Sequence, residues 1–159
     1  MREGERRGKV GRESANPYFE GHKYHEPTVC PRCDLVYHAG RWQRSDLRPR
    51  NGLQESICPA CRREVDRYPA GLLILRGSYL AAHREEIMNI VRNQTDLAGE
   101  SRPLQRIMWV KDDRGEVEIA TTNDHLALRI GKAIRSASKG ELTVRRGTED
   151  PLVRIYWER

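Results

Sequence analysis

The sequence has no long apolar run, and no stretch approaches the ~20 residues that a membrane-spanning helix needs. Residues 1–11 are charged and lack the apolar core of a secretory signal. Phenylalanine occurs once, and hydrophobic residues make up only 37% of 159 residues. This composition is polar for a globular protein, but it does not predict disorder throughout. We therefore expect a cytoplasmic protein of one ordinary domain or two small ones, without membrane association.

Lysine is also scarce, because five lysines leave 24 arginines among the 29 basic residues. Against 23 acidic residues, the net charge is +6 and the isoelectric point is about 9.4. Arginine binds phosphate as a planar fork and stacks on bases, which favours a polyanionic partner. A GC-rich genome would raise the arginine content without any functional reason, so composition alone leaves both explanations open.

Cysteine is confined to residues 30–61, in the pairs Cys30–Cys33 and Cys58–Cys61. Two residues between paired cysteines let both thiolates face one ion, and two such knuckles complete a tetrahedral four-sulfur site that suits Zn²⁺. Because four protein ligands leave no open coordination position, we expect one structural zinc ion. An iron centre with the same ligands and a thiol redox pair are the alternatives.

Composition divides the chain into three segments. Residues 1–28 are charged and poor in apolar residues, which predicts a flexible tail. Residues 29–68 contain both cysteine pairs and an arginine-rich connection, which predicts a zinc-ribbon module. Residues 69–159 have the apolar periodicity of regular secondary structure, which predicts an α+β sandwich domain.

The third segment has the pattern of alternating strands and helices. Residues 71–75 form a short apolar run, and Ser78 can begin a helix that reaches about residue 92. Strands at 104–111 and 116–121 flank a turn, and a capping-box-like sequence at 121–124 begins a second helix ending near Gly140. Strands at 141–146 and 152–157 follow. The order predicts a ferredoxin-like β-α-β-β-α-β sandwich with an extra terminal strand.

The connection between the two cysteine pairs combines basic side chains with a tryptophan. Arginine forks bind phosphates, and a tryptophan face can stack on an unpaired base. Packing of Trp42 beneath the zinc module is the alternative. The RNA-binding candidates in this finger are Arg41, Trp42, Arg44, Arg48 and Arg50.

The second helix of the sandwich carries another basic surface. Its cations lie opposite the apolar stripe of Leu126, Ile130 and Ile134, and acidic residues are lacking between Leu126 and Gly140. A solvated helix face is the alternative interpretation. The RNA-binding candidates on this helix are Arg129, Lys132, Arg135 and Lys139.

No catalytic motif accompanies these features. The sequence lacks a phosphate loop, a dinucleotide-binding glycine pattern, a nucleophile elbow and an HExxH motif. His38 lies near the first cysteine pair, but four cysteines already complete a ligand set, so we expect it at the surface. We therefore predict no catalytic residue and no small-molecule substrate.

Three stretches together resemble a known family. They read "CPRCDLVYHAGRW", "CPACRREVDRYPAGLLILRGSYLAAHREEI" and "TTNDHLALRIGKAI". They resemble small bacterial zinc-ribbon proteins that are similar to the N-terminal part of the Nmd-type large-ribosomal-subunit export adaptors, over residues 28–157. The resemblance implies ribosome binding through zinc modules and basic surfaces, with the four cysteines matching metal ligands. One departure is Asp34, where a ribbon often has glycine in a left-handed conformation.

These observations lead to one functional hypothesis. We expect a non-enzymatic zinc-containing RNA-binding factor, associated with ribosomes or ribosomal RNA in assembly, stress or hibernation. The alternative is a protein-interaction adaptor or transcription-associated regulator that binds its partner on the sheet face. An enzyme would require an open metal position or a cleft with perturbed acids.

Overall fold

A computed structural model of the chain describes Tyr18 and residues 24–45 and 53–159. Within these ranges the protein is a mixed α+β structure with two mixed sheets and four helices. No helix of these ranges is both long enough and apolar enough to cross a bilayer. The prediction of a flexible tail at residues 1–28 falls almost entirely outside the described residues.

The cysteine-containing part is a small sheet followed by a helix. Its four strands have the order β3-β2-β1-β4, with β4 parallel to β1 and the other neighbours antiparallel. The elements are β1 (Thr28–Val29), β2 (Val36–His38), β3 (Arg41–Gln43), β4 (Gln54–Glu55) and α1 (Pro59–Asp66). This arrangement brings the two cysteine pairs to the same end of the sheet.

The second sheet has five strands in the order β6-β7-β5-β9-β8. Its central pair, β5 and β9, is parallel, and every other pair is antiparallel. The elements are β5 (Gly71–Arg76), α2 (Ser78–Ala82), α3 (Arg84–Ser101), β6 (Ile107–Asp113), β7 (Glu116–Thr121), α4 (Asp124–Ser138), β8 (Glu141–Arg146) and β9 (Val153–Glu158).

The predicted ferredoxin-like strand order is not confirmed. In a ferredoxin-like sandwich the strand after the second helix lies beside the first strand, but here the terminal strand β9 lies beside β5 and β8 lies at the edge. Apolar patterning accounts for this arrangement. In β9, Val153, Ile155 and Trp157 alternate as buried residues, whereas β8 is exposed along nearly its whole length. A strand at the centre of a sheet is covered by more neighbours than a strand at its edge. The more apolar strand, β9, is therefore the one that lies at the centre.

The main core lies between the helices and one side of the five-stranded sheet. Leu73 and Leu75 of β5 and Ile155 and Trp157 of β9 are fully buried there. Helix α4 packs against α3 and across β5, β7, β8 and β9. The Trp157 indole also donates a hydrogen bond to the carbonyl of Lys139 at 2.7 Å, which secures the end of α4 to the sheet.

The helix predicted from Ser78 to about residue 92 is divided and longer than expected. Helix α2 ends at Ala82, and α3 continues to Ser101. His83, between them, has φ −126° and ψ 27°, and its ring stacks on Tyr79 at a centroid distance of 4.0 Å. The break between α2 and α3 therefore coincides with the stacking of His83 on Tyr79, a contact that the apolar periodicity of the sequence does not predict.

Candidate metal centre and cationic surfaces

The first cysteine knuckle is the turn between β1 and β2. The Cys30 amide donates to the carbonyl of Leu35 at 2.8 Å, and the Asp34 amide donates to the carbonyl of Cys30 at 2.9 Å. Asp34 has φ +63°, so the left-handed conformation expected at this position is confirmed. Asp tolerates this region better than most side chains, because its short polar group bonds locally.

The second knuckle begins helix α1. Cys58 is the N-cap residue, and its Sγ accepts a hydrogen bond from the Cys61 amide at 3.4 Å. Pro59 follows within the first turn, where its missing N–H costs no helical hydrogen bond. The Cys58 amide donates to Cys30 Sγ at 3.3 Å, which links the two knuckles.

The four cysteine sulfurs form one compact cluster. Their Sγ atoms all lie within 4.8 Å of one another, and none of the cysteines forms a disulfide. The Sγ atoms of Cys33 and Cys58 are 3.7 Å apart. Four thiolates placed tetrahedrally at ~2.3 Å from one ion are separated by ~3.8 Å from each other. The predicted ligands Cys30, Cys33, Cys58 and Cys61 therefore lie together in a geometry that fits a metal ion.

The surroundings of the sulfurs shift their proton affinities in opposite directions. Burial raises the pKa of Cys58 and of Cys61. Burial also acts to raise the pKa of Cys30, but backbone N–H groups, that of Cys58 foremost, outweigh it and lower this pKa to about 7. Without a metal, Cys58 and Cys61 therefore hold their protons more strongly than free thiols do.

Arg106 is the main charged neighbour of this cluster. Its Nη1 donates to Cys61 Sγ at 3.3 Å, and its Nη2 donates to Cys33 Sγ at 3.2 Å. The guanidinium is largely buried, its Nε donates to the carbonyl of Pro103 at 2.8 Å, and Nη1 is 3.6 Å from Glu64 Oε2. Burial alone would lower the pKa of Arg106, but hydrogen bonds to the cysteine sulfurs raise it instead. Arg106 thus places a fixed positive charge against the sulfur cluster.

Sequence reasoning missed Arg106. It lies 45 residues beyond Cys61, just before strand β6. No spacing rule connects it to the cysteine knuckles, and its only sequence signal was its position after Pro103 at the start of a predicted strand. His38 was correctly placed at the surface, since its side chain is exposed at the end of β2.

The structure corrects one RNA-binding candidate. Trp42 is only 7% exposed, so its faces are not available for stacking on a base. Its ring packs against those of Tyr24 and Tyr37, at centroid distances of 5.0 and 5.6 Å. These aromatic rings share the core of the ribbon with the cysteines. The alternative interpretation, packing beneath the metal module, describes Trp42 correctly.

The ribbon arginines fall into two groups. Arg41 and Arg44 are exposed on and just after strand β3. A methyl group on Gly99, near the end of α3, would lie 4.0 Å from Arg44 Nη2, so this arginine reaches the second part of the chain. Arg48 and Arg50 lie outside the described residues.

Of the four cations predicted on the second helix of the sandwich, three lie on α4 and the fourth, Lys139, is its C-cap residue. Arg129 is half-buried, and its Nη1 donates to Gln105 Oε1 at 3.2 Å. The other three are exposed, namely Lys132, Arg135 and Lys139. Lys139, at the C-cap, has φ +61° and follows the last turn of the helix. The fully buried residues Leu126, Ile130 and Ile134 occupy the opposite side.

Comparison of the chain with protein-family models, with curated proteins and with solved structures finds no match.

Proposed function

We propose that this protein is a non-enzymatic, zinc-stabilised RNA-binding factor that acts in the cytoplasm on ribosomal RNA or ribosomes. Roles in assembly, stress or hibernation all fit such a factor. The proposal combines the cysteine cluster with the two cationic surfaces, those of the ribbon and of α4.

Zinc is the metal that the donor set favours. Four cysteine sulfurs are available, and Zn²⁺ is commonly bound in structural sites by four thiolates. Cys30, Cys33, Cys58 and Cys61 would hold it with no coordination position left for substrate. When bound, the ion supplies folding energy to the ribbon, of the order of 10 kcal/mol or more.

One observation carries the RNA-binding proposal: the two cationic surfaces adjoin the same short segment. Arg44 of the ribbon approaches Gly99, and Arg129 of α4 bonds Gln105. These arginines are 85 positions apart in the sequence, yet both border residues 99–105. A groove of about 340 Å³ lies between the ribbon and helix α3, and its charged lining residues are Arg41, Arg44 and Glu100. The ribbon and helix cations therefore support one extended phosphate-binding surface.

The charge of α4 favours a polyanion over an ordinary solvated surface. Exposed helices usually interleave Lys and Arg with Glu at spacings of three or four. Helix α4 has Asp124 in its first turn and no other acidic residue, while Lys132 and Arg135 remain exposed. RNA phosphates would supply the missing negative charge and release counterions on binding.

Sedimentation with ribosomal subunits and filter binding to ribosomal RNA test this function. We expect binding that weakens steeply as salt rises. Lys132→Glu/Arg135→Glu should weaken it and reduce the salt slope by roughly 2, since each phosphate contact contributes roughly 1. Arg114→Glu is the matched control, because that side chain is 96% exposed at the tip of the β6–β7 hairpin. Absent or salt-independent association of the wild type would reject the proposal.

A further inference from the structure

The five-stranded sheet has one side that α3 and α4 do not cover. Strand register aligns its side chains in rows that run across the sheet. One row contains Trp109, Ala120, Leu72, Arg154 and Arg145. The next contains Lys111, Glu118, Ile74, Tyr156 and Thr143. We call these two rows the stacking face.

We propose that the stacking face binds single-stranded RNA, with bases stacked on Trp109 and Tyr156; this inference rests on the RNA-binding function proposed above. Both rings are partly exposed, unlike the buried Trp42 and Trp157. Half-buried Leu72 and Ile74 lie between them and form an apolar floor. The rings are on β6 and β9, three strand spacings or roughly 14 Å apart.

Each ring has two cations lying over it, as cation–π contacts. Lys111 Nζ and Arg67 Cζ lie 4.8 and 4.9 Å from the Trp109 ring centroid. Arg76 Cζ and Arg145 Cζ lie 5.0 and 5.4 Å from the Tyr156 ring centroid. A base that stacks on either ring takes the place of one of these cations, which then stays beside the base and can bind its phosphate. At Tyr156 this cation is Arg145, because Arg76 is ion-paired with Glu116 and Glu158.

A carboxylate fixes the Trp109 ring without cancelling this charge. Trp109 Nε1 donates to Glu118 Oε2 at 3.0 Å, which orients the indole on the face. Glu118 is the one acid among the ten side chains of the stacking face, which also include Lys111, Arg145 and Arg154. Arg154 is 3.4 Å from Asp150 at the edge of the sheet.

A third row of side chains, next to the stacking face on the same side of the sheet, limits the surface that RNA can occupy. It is acidic, with Asp113, Glu116, Glu158 and Glu141 around Arg76. A polyanion is therefore attracted to the first two rows and repelled by the third. A duplex keeps its bases stacked inside, so the exposed rings select a single strand.

Anisotropy titration of a short fluorescein-labelled oligouridylate tests the proposal on the full-length, zinc-loaded protein. Trp109→Leu and Tyr156→Leu should each weaken binding about 5-fold to about 150-fold, the range for loss of one base stack. Tyr156→Phe keeps the ring and should bind like the wild type. Val144→Ala is the matched control, because Val144 is 40% exposed on β8 beside Arg145 but points to the other side of the sheet.

Tryptophan emission of the wild type gives a second measurement, which does not depend on whether the leucine variants fold. Of the three tryptophans, Trp42 and Trp157 are buried, so the oligouridylate should quench the emission of Trp109. Quenching should disappear in Trp109→Leu. RNA binding by the wild type without quenching would overturn the proposal, even if the leucine variants failed to fold.

The outcomes separate this inference from the function on which it rests. If the wild type binds neither the oligouridylate nor ribosomal RNA, the RNA-binding function itself fails. If it binds them, and Trp109→Leu/Tyr156→Leu binds equally well, the stacking face belongs to another partner such as a protein, and only this inference is overturned. Equal affinity for a duplex of the same length would also overturn it.

Discussion

Arg106 Nη2 donates a hydrogen bond to Cys33 Sγ over 3.2 Å, across 73 residues of sequence. The same guanidinium reaches Cys61, and it directly precedes β6 of the five-stranded sheet. Four thiolates around Zn²⁺ carry a net charge of about −2, so a buried cation beside the sulfurs offsets part of it. The metal site and the second sheet are thereby joined through one side chain.

Replacement of Arg106 should weaken metal binding. Arg106→Met removes the N–H···S bonds but keeps an unbranched side chain, and loss of such a supporting partner typically costs about 10-fold to 100-fold in metal affinity. Competition with a chromogenic zinc chelator measures this change. In Co²⁺-loaded protein, the sulfur-to-metal charge-transfer bands should also shift, because the sulfurs lose their hydrogen bonds.

The control for this experiment is Arg102→Met. Arg102 is exposed at the end of α3, four positions before Arg106, and forms no bond to sulfur among those seen in the described residues. It should retain wild-type zinc affinity. Equal affinities for Arg106→Met and the wild type would show that the guanidinium does not support the site.

Removal of the metal should unfold the ribbon but spare most of the helical structure. The ribbon core contains Cys30, Cys58 and Cys61 together with Trp42, and none of these residues belongs to the main core around Trp157. On chelation, we expect the emission of Trp42 to shift to the red, while far-ultraviolet circular dichroism from α3 and α4 largely persists. Trp42→Phe should abolish the emission shift, and unchanged emission from the wild type would contradict the prediction.

Metal binding should release protons and strengthen with pH. Burial raises the pKa of Cys58 and of Cys61, so both thiols are protonated at neutral pH until the metal displaces their protons. Release of about two protons or more implies that affinity rises about 100-fold or more per pH unit near neutrality. Calorimetry in buffers of different ionisation enthalpy counts these protons, and a count near zero would refute the prediction.

Gly77, whose backbone packs against Arg159, should not tolerate a side chain. Gly77 has φ +108°, and a Cβ there would lie 2.2 Å from the carbonyl oxygen of Arg159. Gly77→Ala therefore combines backbone strain with a steric clash and should cost more than about 2 kcal/mol in the free energy of unfolding. Gly115→Ala, with φ +86° and no neighbour within 4 Å, isolates the strain and should cost about 1 kcal/mol. Urea denaturation compares the two, and equal losses would exclude the clash.

Local patterns predicted much of the secondary structure. Helix α4 follows from its N-cap Asn123, whose side chain accepts from the amides of His125 and Leu126, and from its apolar stripe. The strand at 71–75 was placed within one residue of β5. The predicted start of strand β6, at residue 104, was wrong, because β6 begins at Ile107. Residues 104–106 instead form the connection that carries Arg106 to the cysteines.

The position of the terminal strand required more than local pattern. Alternation of Val153, Ile155 and Trp157 does predict a strand with one buried side, but it does not name the neighbours of that strand. Pairing of β9 with β5 is a long-range choice, since their hydrogen-bonded partners lie more than 80 residues apart. This pairing depends on which strand buries the most apolar surface against α4.

The two cysteine knuckles can be predicted from the amino-acid sequence, because a two-residue spacing confines both thiolates of each knuckle to one side of a tight turn. The apolar stripes of α4 and β5 can be predicted in the same way, since helical and strand periods are local properties. Four other relationships depend on how the elements pack: Trp42 is buried, Arg106 faces the sulfurs, Arg44 and Arg129 border one segment, and Trp109 and Tyr156 share one sheet face. These relationships join residues far apart in the chain, and packing between the elements, rather than any local preference, brings them together.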